Sequence, residues 1–344
     1  MGKKLVLIAT SRYSINMNDF YMFFRRSDHH IIAILYHFSV GYKPWWLHNR
    51  FSDPARNGIY DKLRFTDYRF LPWYDAGDLC EQLNHLEFDY VCMGNGSGTD
   101  QQVVVEHVGL DKCLFSEYGW LPWNEHFYLA RGGCGHRSDI ARMTAADLQY
   151  QSINRRAIER LQNKFKGGRA LKEHDFVYVP LQKDINDFKF KSSPFKHNEE
   201  FIDLIHEVVP NGMKVYVKRH PLYPKKYDFK KYGRFVDIST ANYKKEQIYR
   251  QMSAMVCINS TSILEAILFG GKVFAYGDDI FCNKDLVEFR VFERGHFERG
   301  LQQQPSKEGC LQFISLLLNR QIERKRCIRN DRRYIKNHFW NCSL

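Results

Sequence analysis

Apolar positions along this chain fall into short runs separated by stretches of helical spacing. In the first half, residues 5–9, 31–36, 88–93 and 112–115 are compact apolar runs that read as buried strands. Between them, 78–86 and 101–108 repeat apolar residues at helical intervals. Residues 140–170 are polar with helical spacing and end at Gly167-Gly168, which predicts a linker. The second half repeats the alternation. Strands are expected at 176–181, 214–217, 234–237, 254–258 and 272–276, and helices at 198–209 and 262–269. Phe201, Ile202, Leu204, Ile205 and Val208 share one side of the first of these helices. Further helices begin at 312–318. Strand, loop, helix, strand is the βαβ signature of a parallel sheet. The predicted architecture is α/β, with two doubly wound, Rossmann-like domains facing a cleft. The expected division is 1–150, a linker helix at 151–171, a second domain at 172–311 and basic C-terminal helices at 312–344.

The length supports this division, because 344 residues exceed one typical core. No apolar run approaches the ~18 residues of a membrane span. Met1-Gly2-Lys3-Lys4 and the short run after it read as a first strand and not as a signal peptide. The nine cysteines are odd in number, contain no C-x-x-C pair and sit mostly in apolar runs. That usage predicts reduced thiols, a cytoplasmic protein and no zinc site.

The net charge of +12 calls for an acidic partner: nucleic acid, anionic lipid or an acidic substrate. No helix-turn-helix, RRM or zinc signature accompanies it, so a basic nucleic-acid-binding protein is the weaker alternative. Part of the excess is local. Arg320, Arg324, Lys325, Arg326, Arg329, Arg332, Arg333 and Lys336 face only Glu323 and Asp331. With Ile322, Ile328 and Ile335 as a sparse stripe, the segment predicts a helix that could lie on an anionic membrane. A solvated helix, or one whose arginines pair with internal acids, is the alternative.

Candidate chemistry gathers at predicted strand ends. The run from Val256 to Gly271 reads as strand, polar turn and apolar helix. Its Asn259-Ser260-Thr261-Ser262 turn offers hydroxyls and unpaired N–H groups at a helix start, where the macrodipole favours an anion. Glu265 follows one turn later, in reach of a ribose or a donor N–H. Lys218-Arg219-His220-Pro221 places three basic groups at another strand end, suited to a leaving phosphate that His220 can hydrogen-bond or protonate. Two such sites in one half suggest a phosphate-containing donor such as a nucleotide-sugar. Glu117, in Ser116-Glu117-Tyr118-Gly119, follows a strand where α/β sheets place ligands, which makes it a catalytic candidate beside the reading as a loop cap. Arg131-Gly132-Gly133 is a candidate cation for an acidic sugar or acceptor, or a simple turn. Gly94-Asn95-Gly96-Ser97-Gly98 lacks G-x-G-x-x-G spacing and reads as a flexible cleft-edge loop. Asp278-Asp279 is an acidic pair without an evident third ligand, so no metal site is expected.

These sites, in this order, resemble the bacterial capsule polysaccharide biosynthesis family of retaining β-Kdo glycosyltransferases. The resemblance covers roughly residues 88–280. Phe115-Ser116-Glu117-Tyr118-Gly119-Trp120-Leu121-Pro122 is similar to the family's E-x-G-[YF]-[LI]-R segment, although Trp123 departs from it. Leu181-Gln182-Lys183-Asp184 is similar to L-Q-x-D, Lys218-Arg219-His220-Pro221 to K-x-H-P, and Asn259-Ser260-Thr261-Ser262-Ile263-Leu264-Glu265-Ala266 to N-S-T-x-x-x-E-A. The resemblance implies a GT-B fold, with an acceptor-side N-terminal domain and a C-terminal domain holding CMP-Kdo. It implies transfer of Kdo to a lipid or glycan acceptor in capsule or lipopolysaccharide assembly, without metal or other cofactor. Glu117 and His220 would be catalytic. Gln182, Lys218, Arg219, Asn259, Ser260, Thr261, Ser262 and Glu265 would hold the donor. Another CMP-sugar (sialyl-type) or CDP-alcohol transferase is the close alternative.

Overall fold

A computed structural model describes residues 3–9, 30–37, 69–96, 98–122, 125–183, 192–221, 223 and 225–328. The chain divides into two compact units. One comprises residues up to Asp139 together with those from Arg320 onward; the other is Ile140–Asn319.

In the first unit the strands are β1 (Lys4–Ala9), β2 (His30–His37), β3 (Arg69–Trp73), β4 (Tyr90–Met93), β5 (Cys113–Tyr118) and β6 (His126–Arg131). Helices α1 (Ala76–Asn84) and α2 (Thr99–Val108) precede and follow β4. Leu5, Val6, Leu7 and Ile8 are all buried, as a strand covered on both faces requires. α1 starts at Asp75, whose carboxylate accepts the Asp78 N–H at 3.0 Å, and buries Leu79 and Leu83 one turn apart. The sheet order is β13-β6-β5-β4-β1-β2-β3, where β13 is Ile322–Glu323 from the end of the chain. β3-β2-β1-β4-β5 run parallel; β6 is antiparallel to β5 and to β13. This is a doubly wound order, and its direction of winding switches between β1 and β4.

The second unit carries β7 (Phe176–Pro180), β8 (Val215–Lys218), β9 (Phe235–Asp237), β10 (Met252–Cys257), β11 (Val273–Ala275) and β12 (Glu288–Phe289). Its longer helices are α3 (Arg155–Asn163), α4 (Asn198–Val208), α5 (Lys245–Gln251), α6 (Ser262–Leu268), α7 (Arg294–Gln302) and α8 (Lys307–Arg320). All six strands are parallel in the order β12-β11-β10-β7-β8-β9. The switch in winding falls between β7 and β10. The core joins Val177, Val179, Val215, Val217, Ala254 and Val256 of the central strands to Phe201, Ile202, Ile205 and Val208 of α4.

Two expectations change here. The segment 140–170 is built into the second unit and is not a linker. Leu148, Ile158 and Leu161 are buried, and the Gln162 amide donates to the Leu268 carbonyl at 2.9 Å. Arg169 N–H donates to Asn242 O at 2.7 Å and Lys244 N–H to Arg169 O at 2.9 Å. Gly168, at φ +118, allows that approach, since a Cβ there would stand 2.8 Å from Asn242 O. The basic segment after α8 opens as strand β13, not as a helix, because Ile322 and Glu323 pair with Phe127 and His126. A five-residue helix, α9 (Arg324–Ile328), follows; the expectations for 329–336 lie outside the described residues.

Candidate active site

The donor-binding candidates of the second unit collect at the C-terminal ends of three adjacent strands, β10, β7 and β8. Gln182 follows β7 and Asn259 follows β10, one on each side of the switch point. The two are buried and joined, with Gln182 Nε2 3.3 Å from Asn259 Oδ1. Asn259 Nδ2 donates to Ser192 Oγ at 3.0 Å. Gly277 makes room for that amide, because a Cβ would lie 2.9 Å from Asn259 Nδ2. From the other side Asn198, the first residue of α4, accepts the Gln182 N–H at 3.3 Å and donates to its carbonyl at 2.8 Å and to the Tyr227 hydroxyl at 3.0 Å. This buried amide network ties together the two loops that flank the switch point. Asp184 lies outside the described residues.

The three basic groups at the end of β8 stand in different situations. Arg219 is turned back on β9 and the turn after it: Nε lies 3.0 Å from Asp237 Oδ2 and 3.2 Å from Ser239 Oγ. His220 is half-buried where the chain turns, its carbonyl accepting the Tyr223 N–H at 2.9 Å. Lys218 is half-buried. Burial pushes its ammonium down from the ordinary lysine value, Lys245 pushes it down further, and Glu265 draws it partly back. Lys218, Lys245 and Glu265 therefore form one electrostatic cluster. Glu265 is held by Lys245, whose Nζ lies 2.9 Å from each carboxylate oxygen, and by the Tyr249 hydroxyl. Burial and the Glu265 charge push the Tyr249 hydroxyl well above its usual range. Two cations against one carboxylate leave a positive site at the strand end, suited to an anion.

The Ser260-Thr261-Ser262 turn is already engaged within the chain. Ser260 Oγ accepts the Ser262 N–H at 3.2 Å, Ser260 O the Ile263 N–H at 3.0 Å and Thr261 O the Leu264 N–H at 3.1 Å. The first-turn amides expected to be open are therefore taken up in a tight turn, and α6 has seven residues. Thr261 is exposed, and Ser260 and Ser262 half-buried.

In the first unit Glu117 sits near the C-terminal end of β5, half-buried. Its Oε2 accepts from Asn95 Nδ2 at 2.6 Å and its Oε1 from Tyr118 N–H at 2.8 Å. Asn95 belongs to the glycine loop after β4, at this sheet's switch point. Asn95 and Gly96 of that loop are pinned, where a flexible edge was expected. Gly96 N–H donates to the buried Gln101 Oε1 at 2.8 Å, and Gly96, at φ +81, lies where a Cβ would meet the Phe115 ring at 2.8 Å. Arg131 falls elsewhere. It pairs with Leu114, whereas Glu117 pairs with Tyr128, so the two lie three register steps apart, about 10 Å along the strand. Its guanidinium donates to Tyr90 Oη at 3.0 Å. Trp123 lies outside the described residues.

The acidic pair is also occupied. Asp278 Oδ2 lies 3.0 Å from Arg290 Nη2, and Asp279 Oδ1 accepts the Ile280 N–H at 2.8 Å. Among the described residues no three His, Cys, Asp or Glu side chains converge as metal ligands. Sequence reasoning missed Asn95, Asn198, Ser192, Lys245 and Tyr249. Lys245, in Lys244-Lys245-Glu246, has the look of a solvated helix face, and only the fold turns it toward Glu265.

Residues 134–295 match the family described as capsule polysaccharide biosynthesis protein. The match covers this segment, a little under half of the chain. It takes in Gln182, Lys218–His220 and Asn259–Glu265 and begins after Glu117. No curated protein matches the chain. Among solved structures it is similar to KpsC β-Kdo 2,7 transferase of Thermosulfurimonas dismutans, with TM-score 0.53 and 13% identity over 82% of this chain and 89% of that one. Thermosulfurimonas dismutans KpsC β-Kdo 2,4 transferase gives TM-score 0.47 and 10% identity over 77% and 87%. The UDP-GlcNAc 2-epimerase of Methanocaldococcus jannaschii gives TM-score 0.34 and 10% identity over 92% and 99%. The first likeness shows a shared fold, α/β in two Rossmann-like units, in agreement with the strand orders.

Proposed function

We propose that this protein is a glycosyltransferase that moves Kdo from CMP-Kdo to a lipid or glycan acceptor in bacterial surface polysaccharide assembly. The observation that carries the reading is the gathering of Gln182, Lys218 and Asn259–Glu265 at the C-terminal edge of one parallel sheet, around its switch point, within the capsule-family segment. Doubly wound sheets bind nucleotides at that edge. In this reading Lys218, with Lys245 behind it, takes the donor's negative charge. Gln182 and Asn259 shape the floor, and Glu265 uses its remaining acceptor capacity on the nucleoside. His220 serves the leaving phosphate and Glu117 is the reacting carboxylate. Lysine and histidine neutralise the leaving group, so the reaction is proposed to run without a divalent metal.

The test is to incubate the protein with CMP-Kdo and candidate acceptors, measure CMP release and identify the product by mass. CMP release with a mass gain of one Kdo, undiminished after EDTA dialysis, is expected. Turnover of CMP-sialic acid or CDP-glycerol in its place would move the assignment to another donor. No release from any cytidine donor would end it.

A further inference from the structure

Glu117 is followed by a segment whose main chain is held by a residue more than half the chain away. Gln321, just before β13, is 2% exposed. Its Oε1 accepts the N–H groups of Trp120 and Leu121 at 3.0 and 3.1 Å, and its Nε2 donates to the Leu121 carbonyl at 2.6 Å. One side-chain amide thus satisfies three buried backbone groups, which would otherwise lack partners.

The neighbouring contacts give this clamp a purpose. Gly119 N–H donates to His126 O at 2.8 Å, and a Cβ at Gly119 would lie 2.3 Å from His126 Cβ, so β5 leaves Glu117 in close contact with β6. Trp120 stacks on Tyr128 with centroids 4.0 Å apart, and Tyr128 is the register partner of Glu117. Arg324, two residues beyond the start of β13, places its guanidinium 5.1 Å from the Tyr118 ring. The last described stretch of the chain therefore grips the main chain immediately after Glu117.

We propose that Gln321 is a positioning residue for Glu117: by holding Trp120 and Leu121 it fixes the end of β5 that carries the carboxylate. The proposal rests on the reading that Glu117 takes part in transfer. The test is Q321M, which keeps the side chain's length and removes all three hydrogen bonds. Hydrogen exchange should quicken about tenfold or more in the segment 116–121, with β1 and β4 unchanged, since each of the three lost hydrogen bonds is of that order. kcat should fall by about the same factor while the donor KM moves less than about twofold. A merely structural loss would lower the active fraction and loosen β1 and β4 as well. Q321N, which keeps a neutral amide but is one methylene too short to make all three bonds, should exchange at an intermediate rate, and decides the matter if Q321M does not fold. Unchanged exchange at 116–121, or faster exchange with unchanged kcat, overturns the proposal. If the wild-type protein turns over no donor, the transferase reading fails, and the exchange measurement still decides whether Gln321 holds this strand end.

Discussion

Glu117 and Lys218 carry the proposed chemistry for different physical reasons. Glu117 is a carboxylate with both oxygens oriented, one by Asn95 and one by its own neighbour's N–H. Orientation of the reacting oxygens is what such a carboxylate needs. E117Q keeps the shape and removes the charge, so kcat is expected to drop by roughly 100-fold or more in a protein of unchanged melting temperature. Near wild-type turnover would take Glu117 out of the reaction. The adjacent cations Lys218 and Arg219 invite a direct contrast. Arg219 is already committed to Asp237 and Ser239, whereas Lys218 is half-buried beside a second lysine. K218Q should weaken CMP binding by roughly 10- to 100-fold, the range of a charge-assisted hydrogen bond, with cytidine binding unaltered. R219Q should leave both affinities close to wild type and lower stability. Calorimetric titration of the two variants separates these outcomes, and equal losses would place the anion on Arg219 as well.

At the scale of elements, the sequence displayed whatever depends on local pattern. The apolar strands at 176–181 and 254–258, the helix at 262–269 and the polar residues that end each strand were legible because period and turn chemistry are local. β13 was not, since two residues inside a basic run carry no strand period and only pairing with β6 defines them. The place of 140–170 was missed for a similar reason. Its exposed polar faces dominate the pattern, while burial of Leu148, Ile158 and Leu161 depends on the second unit. Motif residues such as Gln182, Asn259 and Glu265 were found, but Asn198, Lys245 and Gln321, which hold a site in place from distant positions, had no local signal.

One such distant contact predicts a pH effect. Lys284 is buried, with Nζ donating to Met143 O at 2.9 Å and Cys282 O at 2.8 Å, and burial lowers its ammonium to about 8. In the unfolded chain it holds its proton to about pH 10.4. Between those values the unfolded state binds more protons, so this group makes stability rise with pH across that window and contributes no slope below it. Buried thiols such as Cys282, pushed up to about 11, oppose it, so the rise is read as a wild-type thermal midpoint that gains on that of K284M from about pH 7 to 10. K284M should lose that component, with a lower midpoint throughout because two carbonyls lose their donor. An identical pH slope in the variant would show that Lys284 does not titrate there.

For the whole molecule, the question is where an excess of twelve positive charges acts. Among the described residues no helix is long and apolar enough to cross a membrane. Of the eight basic residues expected to form a membrane-facing helix, at least two serve the first unit itself. Arg320 lies 3.3 Å from Asp139, and Arg324 sits over the rings of Tyr118 and Phe127 at 5.1 and 5.8 Å. Ile322 and Cys327 are buried, so the opening of the segment is a structural strap and not a free amphipathic face. We propose that any contact with an anionic inner membrane falls to Lys325, Arg329, Arg332, Arg333 and Lys336. At about 1 kcal/mol each near a charged surface, these suffice for reversible docking. Such docking weakens with salt, since the Debye length is about 8 Å at physiological ionic strength. Co-sedimentation should therefore favour anionic over neutral vesicles, and changing Arg329, Arg332 and Arg333 to glutamine should abolish the preference without lowering the melting temperature. R324Q should do the reverse, leaving vesicle binding intact and lowering stability. Equal binding to both vesicle types, or a preference that survives the triple change, would remove the membrane from the account and leave the charge to the donor and acceptor.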